Sequence, residues 1–291
     1  MRRTAVLVAA LLLTAACGRD DPSTVTGPTA TSPALTTPAG QPAPTAPGGM
    51  PAPSPRDTVA PGRPVTTLPR ARVPAASLDA SGAPGSAAPL FLRPSPASSL
   101  VVEISANEGV SPARDTLDHV TTVLHDVSGK PVSVTRGHQV PDRDTWTADD
   151  LRHAADVAAT TSQGRGHAVL RILFLHGRWA DSDSVLGISV RGDVAAVFVD
   201  RVAEAADPLV GPTAIEVAAT THEVGHLLGL VDLYLNKNRD DPQHPGHSTD
   251  KNSVMYWAVE STVVTDLLTG GPPRDFDAAD LADLAEIRGG A

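Results

Sequence analysis

The sequence predicts an α+β domain that begins at about residue 99 and continues to residue 291. Two observations support this fold class. After residue 98, runs rich in β-branched residues alternate with segments whose apolar residues recur at helical spacing. Before residue 98, large apolar side chains are scarce, and Pro, Ala, Thr, Gly and Ser dominate. The predicted domain has the size of a single folding unit.

The order of the elements follows from these patterns. β-Branched content predicts strands at residues 99–105, 131–135 and 168–175, and a hairpin formed by residues 185–190 and 194–199. Apolar spacing predicts helices at residues 112–127, 147–160, 212–228 and 277–288. Thr147 is placed to cap its helix, with Asp150 at the third helical position.

Residues 1–16 have the pattern of a signal peptide, because a basic start is followed by an apolar run too short for a permanent membrane span. Residues 13–17, Leu-Thr-Ala-Ala-Cys, resemble a bacterial lipobox, which implies that Cys17 carries lipid. We therefore expect an exported protein anchored to the outer face of the bacterial cell membrane, with plain secretion as the alternative. Cys17 is the only cysteine, which excludes an intramolecular disulfide.

Residues 17–98 are predicted to form a disordered tether behind the lipidated cysteine. A segment of this composition cannot bury enough apolar surface to offset the entropy lost on ordering, and its prolines favour extended polyproline conformations. The alternative for residues 90–98 is a propeptide that masks the site. A cysteine-based zymogen switch is excluded, since no spare cysteine exists.

The most informative segment is residues 222–232, His-Glu-Val-Gly-His-Leu-Leu-Gly-Leu-Val-Asp. Residues four apart lie on one face of a helix, so His222 and His226 can offer ring nitrogens to one metal ion. Glu223 lies beside them, where it can act as the general base on a zinc-bound water. Gly229 can adopt the left-handed conformation that ends a helix, after which Asp232 can return towards the metal.

This arrangement resembles the metzincin zinc peptidases, and Asp at the third position is most similar to the snapalysin branch. Residues 253–256, Ser-Val-Met-Tyr, resemble the metzincin Met-turn, which implies that Met255 lies beneath the zinc and that Tyr256 lies near it. The resemblance implies a three-layer, α/β/α-like architecture with a mixed twisted sheet and a small C-terminal helical subdomain. It also implies that strand 185–190 binds extended peptide; the alternative is a plain hairpin arm.

The third zinc ligand has several candidates in the sequence. Asp232 is preferred, because only two residues separate it from Gly229, whereas His244 or His247 requires a long polar loop to fold back. Glu260 would serve in a gluzincin-like arrangement, but it lies far downstream of the helix-ending glycine.

These residues predict a zinc-dependent endopeptidase that acts on a peptide or protein at the cell surface as a monomer. A net charge of −10 argues against nucleic acid as a partner. No serine-nucleophile or P-loop signature occurs in the chain. The alternative from a different class is a non-catalytic surface lipoprotein that uses a metzincin-like fold for binding.

Overall fold

The structure, a computed structural model, describes residues 76–264 and 270–290. The predicted signal peptide, Cys17 and the tether up to residue 75 lie outside the described residues. Within the described part of the chain, no helix is long and apolar enough to cross a membrane.

A five-stranded, mostly parallel sheet forms the centre of the domain. Its strands lie in the order β2-β1-β4-β7-β6, and only the edge strand β6 is antiparallel to its neighbour. The bounds are β1 (Ser99–Ala106), β2 (Val132–Arg136), β4 (His167–Leu175), β6 (Gly187–Arg191) and β7 (Val194–Phe198). A separate two-stranded sheet pairs β3 (Thr145–Trp146) with β5 (Arg178–Trp179). The predicted mixed sheet and hairpin are confirmed.

Helices pack on both faces of this sheet. They are α1 (Ala88–Leu92), α2 (Arg114–Ser128), α3 (Ala148–Ala158), α4 (Val199–Ala205), α5 (Pro212–Leu227) and α6 (Ala278–Gly289), with a 3-10 helix at Trp257–Glu260. Alternate residues of β4 point to opposite faces. Ile172 and Phe174 join the core with α2 and α5, while Leu173 and Leu175 join a second core with α3. The three-layer prediction is confirmed.

Local sequence signals set the ends of several helices. The side chains of Thr147 and Asp150 form the predicted capping box at the start of α3. Asp277 caps α6 in the same way. Gly129 ends α2 in the left-handed conformation, with φ of 69°.

The predicted boundary at residue 98 is wrong, because the chain is already folded onto the domain from residue 76. Leu90, Phe91 and Leu92 of α1 are at most 1% exposed and pack in the main core, so this Leu-Phe-Leu run buries enough surface to order its segment. Lys130 donates from Nζ to the carbonyl of Leu90 at 2.8 Å, and Arg93 donates from Nε to the carbonyl of Ile287 at 3.1 Å. Residues 90–92 are therefore core residues, not a masking propeptide.

The revised boundary makes a stability prediction for Leu92. Leu92→Ala should lower the free energy of unfolding by about 2–5 kcal/mol, because it leaves a cavity at a fully buried position. Leu209→Ala is the matched control, since Leu209 is 94% exposed, and it should change stability by less than about 0.5 kcal/mol. Denaturant unfolding of both variants measures the difference. Equal stabilities would mean that α1 belongs to the tether.

Candidate metal centre

Helix α5 carries the His-Glu motif through the interior of the domain. It begins at Pro212, as the sequence predicted, and every residue from Val217 to Leu227 is buried. Its neighbours are α2, α4, strands β6 and β7, and the 3-10 helix. His222 and Glu223 are 0% exposed and His226 is 8% exposed. The motif residues are therefore held on a rigid, solvent-excluded element.

The turn after α5 depends on Gly229, as predicted. Its φ is 83°, in the left-handed region that favours glycine. Space also requires glycine here, because a Cβ would lie 2.6 Å from Cβ of Tyr234 and 3.0 Å from Cβ of Ala88. The chain thus reverses immediately after the motif, beneath the N-terminal helix α1.

The structure does not bring Asp232, the preferred third ligand, into the group of side chains around His222. Its carboxylate instead accepts hydrogen bonds from the backbone N–H groups of Lys237 at 2.7 Å, Arg239 at 2.5 Å and Asp240 at 3.2 Å. Asp232 itself has a φ of 65°. The carboxylate therefore fixes the first part of the loop that follows α5, which is the physical reason that the sequence-based assignment is corrected.

The rest of this loop returns to α5 and brings His247 next to His222 and His226. The ring of His244 stacks on Trp257, with centroids 4.2 Å apart and planes at 8°, and its Nδ1 lies 3.0 Å from Oδ2 of Asp241. The Asp241 N–H donates to the carbonyl of His247 at 2.7 Å. His244 thus anchors the loop, while His247, the other alternative, reaches the motif.

Four side chains converge at this point. Ligand atoms of His222, His226, His247 and Glu260 all lie within 4.8 Å of one another. Nε2 of His222 is 3.0 Å from Nε2 of His226 and 3.5 Å from Oε2 of Glu260, and Nε2 of His247 is 3.1 Å from Oε1 of Glu260. Tetrahedral zinc ligands lie about 3.3 Å apart, because each is about 2.0–2.1 Å from the ion. The spacing and the donor atoms both fit zinc.

The hydrogen bonds of the imidazoles leave the correct nitrogens free for a metal. A carbonyl can only accept, so Nδ1 of His222 donates to the carbonyl of Val254 at 2.7 Å, and Nε2 keeps its lone pair. Nδ1 of His247 lies 3.3 Å from the carbonyl of His244. Burial, and then the neighbouring His222 and His247, hold the pKa of His226 well below its usual range. A neutral imidazole is the form that binds metal.

Glu223 follows His222 on α5, and its side chain lies against the edge strand of the sheet. Its Oε2 accepts a hydrogen bond from Oγ of Ser189 on β6 at 2.9 Å, while Oε1 is buried and has no hydrogen-bond partner among the described residues. Glycine is required at Gly187, because a Cβ there would lie 2.9 Å from both Cγ and Oε1 of Glu223. Burial, and then the charge of Glu260, raise the pKa of Glu223 well above its usual range, against the Ser189 hydrogen bond.

Residues 253–256, which the sequence analysis compared with a Met-turn, pack against α5 next to His222. Met255 is fully buried, and its sulfur occupies the space where a side chain at Gly225 would lie. Ser253 ties the turn to α6: its Oγ donates to Oδ2 of Asp280 at 2.7 Å and accepts from the Met255 N–H at 2.9 Å. Tyr256 is buried, and its ring lies 5.8 Å from that of Trp257.

Sequence reasoning missed two residues of the site, Gly187 and Ser189, and disfavoured a third, Glu260. Gly187 and Ser189 belong to the strand that the resemblance matched to peptide binding, but their contacts with Glu223 depend on how the sheet packs against α5. Glu260 was considered and disfavoured for its distance in sequence. Glu260 follows Met255 closely in sequence, and this short separation is the signal that could have identified it.

No family model matches the sequence, and no curated protein matches it. Among solved structures, archaemetzincin from Methanopyrus kandleri matches with 19% identity and a TM-score of 0.47, covering 65% of this chain and 96% of that chain. Archaemetzincin from Archaeoglobus fulgidus, complexed with malonate, has 14% identity, a TM-score of 0.39, and coverage of 63% and 99%. A zinc-dependent peptidase from Methanocorpusculum labreanum has 17% identity, a TM-score of 0.39, and coverage of 63% and 99%.

Proposed function

We propose that this protein is a zinc-dependent endopeptidase. The observation that carries the proposal is the convergence of His222, His226 and His247, with the buried carboxylate of Glu223 next to His222 on the same helix. A metal that only stabilises the fold gains nothing from a base at its side. A hydrolytic centre requires one, because a water proton must be removed as the water attacks.

The ligands in this proposal are His222, His226 and His247. All three offer a ring nitrogen to the same point, and His222 is oriented by the Val254 carbonyl in the way that metal-binding imidazoles commonly are. When bound, zinc polarises a scissile carbonyl and lowers the pKa of water. Three neutral imidazoles leave the metal its full positive charge for this purpose, which an Asp232 ligand would have reduced.

Glu223 moves the proton. Its Oε1 is the oxygen without a hydrogen-bond partner, so it is the atom available to accept a proton from water. A base in this position holds the proton briefly and then releases it to the departing amine. The carbon–oxygen bond to the attacking water forms first, the carbon–nitrogen bond then breaks, and the proton held by Glu223 leaves with the amine.

Strand β6 holds both the base and the substrate in this proposal. Ser189 and Gly187 fix the position of the Glu223 carboxylate from one side. The same strand lies at the edge of the sheet and is antiparallel to β7. An edge strand offers backbone groups to an extended peptide, which supports peptide or protein as the substrate.

We further propose that the peptidase acts outside the cell, held to the membrane by lipid on Cys17. The support is the sequence alone: an apolar segment of signal-peptide length that ends in the single cysteine. Two acyl chains on one residue would suffice for a stable anchor, whereas one would not.

The non-catalytic alternative has one observation in its favour. Glu260 adds a fourth side chain to the three imidazoles, and metal sites closed by four protein groups are usually structural. A buried Glu223 with one unpaired oxygen has no role in such a site. The catalytic function is therefore favoured.

The first functional prediction tests whether Glu223 acts as the general base and not as a zinc ligand. Glu223→Gln keeps the shape of the side chain and an acceptor for Ser189 but cannot take a proton. The variant should bind one zinc ion as the wild type does, yet hydrolyse labelled casein slower by a factor of about 100 or more. Zinc content and initial rates, measured on the same preparations, check this. Normal hydrolysis by the variant would remove Glu223 from the mechanism.

A second prediction identifies the third ligand. His247→Ala should weaken zinc binding by a factor of about 100 or more, because even residues that only orient a ligand are worth about 10–100-fold. His244→Ala, in the same loop, and Asp232→Asn, which keeps an oxygen for the loop N–H groups, should each retain most of the affinity. Competition titration with a zinc chelator measures all three. Loss of zinc in Asp232→Asn but not in His247→Ala would restore Asp232 as the ligand.

A third prediction tests location. The full-length protein, expressed in a bacterium with lipoprotein-processing enzymes, should partition into detergent with the membrane fraction, and Cys17→Ala should abolish this partitioning. Mass spectrometry of the N-terminal peptide shows the modification directly. Unmodified wild-type protein in the culture fluid would instead show plain secretion.

A further inference from the structure

Glu260 belongs to the metal site by position, although peptide hydrolysis does not require it. Its side chain is 25% exposed, and its two oxygens face two different imidazoles, those of His222 and His247. A carboxylate with one oxygen next to each of two imidazoles is placed to join them as a ligand to one metal ion.

The backbone around Glu260 lies along the chain that leads into the edge strand. The N–H of Leu186 donates to the carbonyl of Glu260 at 2.7 Å, and the N–H of Thr262 donates to the carbonyl of Ser184 at 2.8 Å. Val185 and Ser261 form an antiparallel bridge between these hydrogen bonds. Residues 260–262 thus pair with residues 184–186 as an added strand would, just before β6.

The position of Glu260 and the pairing of residues 260–262 both affect access to the proposed peptidase site. Four protein groups complete a tetrahedral zinc site, and a hydrolytic site must keep one position open for water or substrate. The segment that supplies the fourth group also occupies backbone positions next to the strand that would bind extended peptide. Substrate and segment 260–262 would compete for the same region.

We propose that Glu260 is a fourth, displaceable protein ligand, and that segment 260–262 keeps the metal site closed in the resting enzyme. This regulation rests on the proposed peptidase function. The binding of a metal ion by Glu260 does not depend on that function. Glu260 comes from a 3-10 helix of four residues, so its displacement requires only a short segment to move, and helix α5 stays in place. The three histidines keep the metal when Glu260 leaves.

The experiment loads Co²⁺ into the full-length wild-type protein and into Glu260→Ala, Glu260→Gln and Glu108→Gln. Glu108 is exposed and is not one of the four converging side chains, so Glu108→Gln is the matched control. The visible absorption of Co²⁺ reports its coordination number and ligands. Both Glu260 variants should change this spectrum and weaken Co²⁺ binding by at least about 10-fold. Acetate should restore the wild-type spectrum in Glu260→Ala alone, because a free carboxylate can take the vacated position.

Activity provides the second readout. With zinc bound, Glu260→Gln should hydrolyse labelled casein faster than the wild type, by about 10-fold, whereas Glu108→Gln should not. Unchanged Co²⁺ spectra and affinities in both Glu260 variants would overturn the proposal, whatever the activity. Altered spectra with no casein hydrolysis in any variant would confirm ligation but overturn the peptidase function. Altered spectra with slower hydrolysis in Glu260→Gln would overturn the closing role.

Discussion

Three imidazoles and the Glu260 carboxylate converge in this protein, with the Glu223 carboxylate buried next to His222 on α5, and the rest of the site depends on how the burial of these groups is compensated. Nδ1 of His226 and Oε1 of Glu223 are buried without a hydrogen-bond partner in the described part of the chain. Nε2 of His247 is 3.1 Å from Glu260 but does not have hydrogen-bond geometry. Buried polar groups left in this state are costly, and such groups mark functional positions. A cation between the three Nε2 atoms would give Nε2 of His247 a partner directly.

The surrounding structure serves to hold this unfavourable cluster in place. The Met-turn packs beneath α5 and orients His222 through the Val254 carbonyl, and α6 fixes the turn through Asp280 and Ser253. On the other side of the site, Gly187 and Ser189 of β6 lie against Glu223. Each support comes from a different part of the chain. The site is therefore built by the tertiary fold as well as by the local motif.

The features that could be predicted from the sequence are those that depend on residues close together in the chain. The position of α5, the capping box at Thr147 and the left-handed Gly229 follow from neighbouring residues, and the structure has all three. The alternation of buried residues in β4 likewise follows from the pleat of a strand. The boundary at residue 98 was wrong, since Pro- and Ala-rich composition concealed the short apolar run at residues 90–92.

The third ligand could not be identified from spacing in the sequence. A loop-closure argument favours Asp232 over His247, because the shorter connection costs less entropy. That cost is met by specific side-chain interactions: the Asp232 carboxylate fixes the loop through backbone N–H groups, and His244 stacks on Trp257. Neither interaction can be read from spacing. The same long-range folding brings Glu260 to the metal site.

The most direct test of this account is a crystal structure of the zinc-loaded protein with anomalous diffraction measured at the zinc edge. The account predicts a single strong anomalous peak at about 2.0–2.1 Å from Nε2 of His222, His226 and His247. The Oε1 atom of Glu223 should face the peak without binding it. A peak coordinated by Asp232 in place of His247, or no peak at the His222 site, would contradict the account.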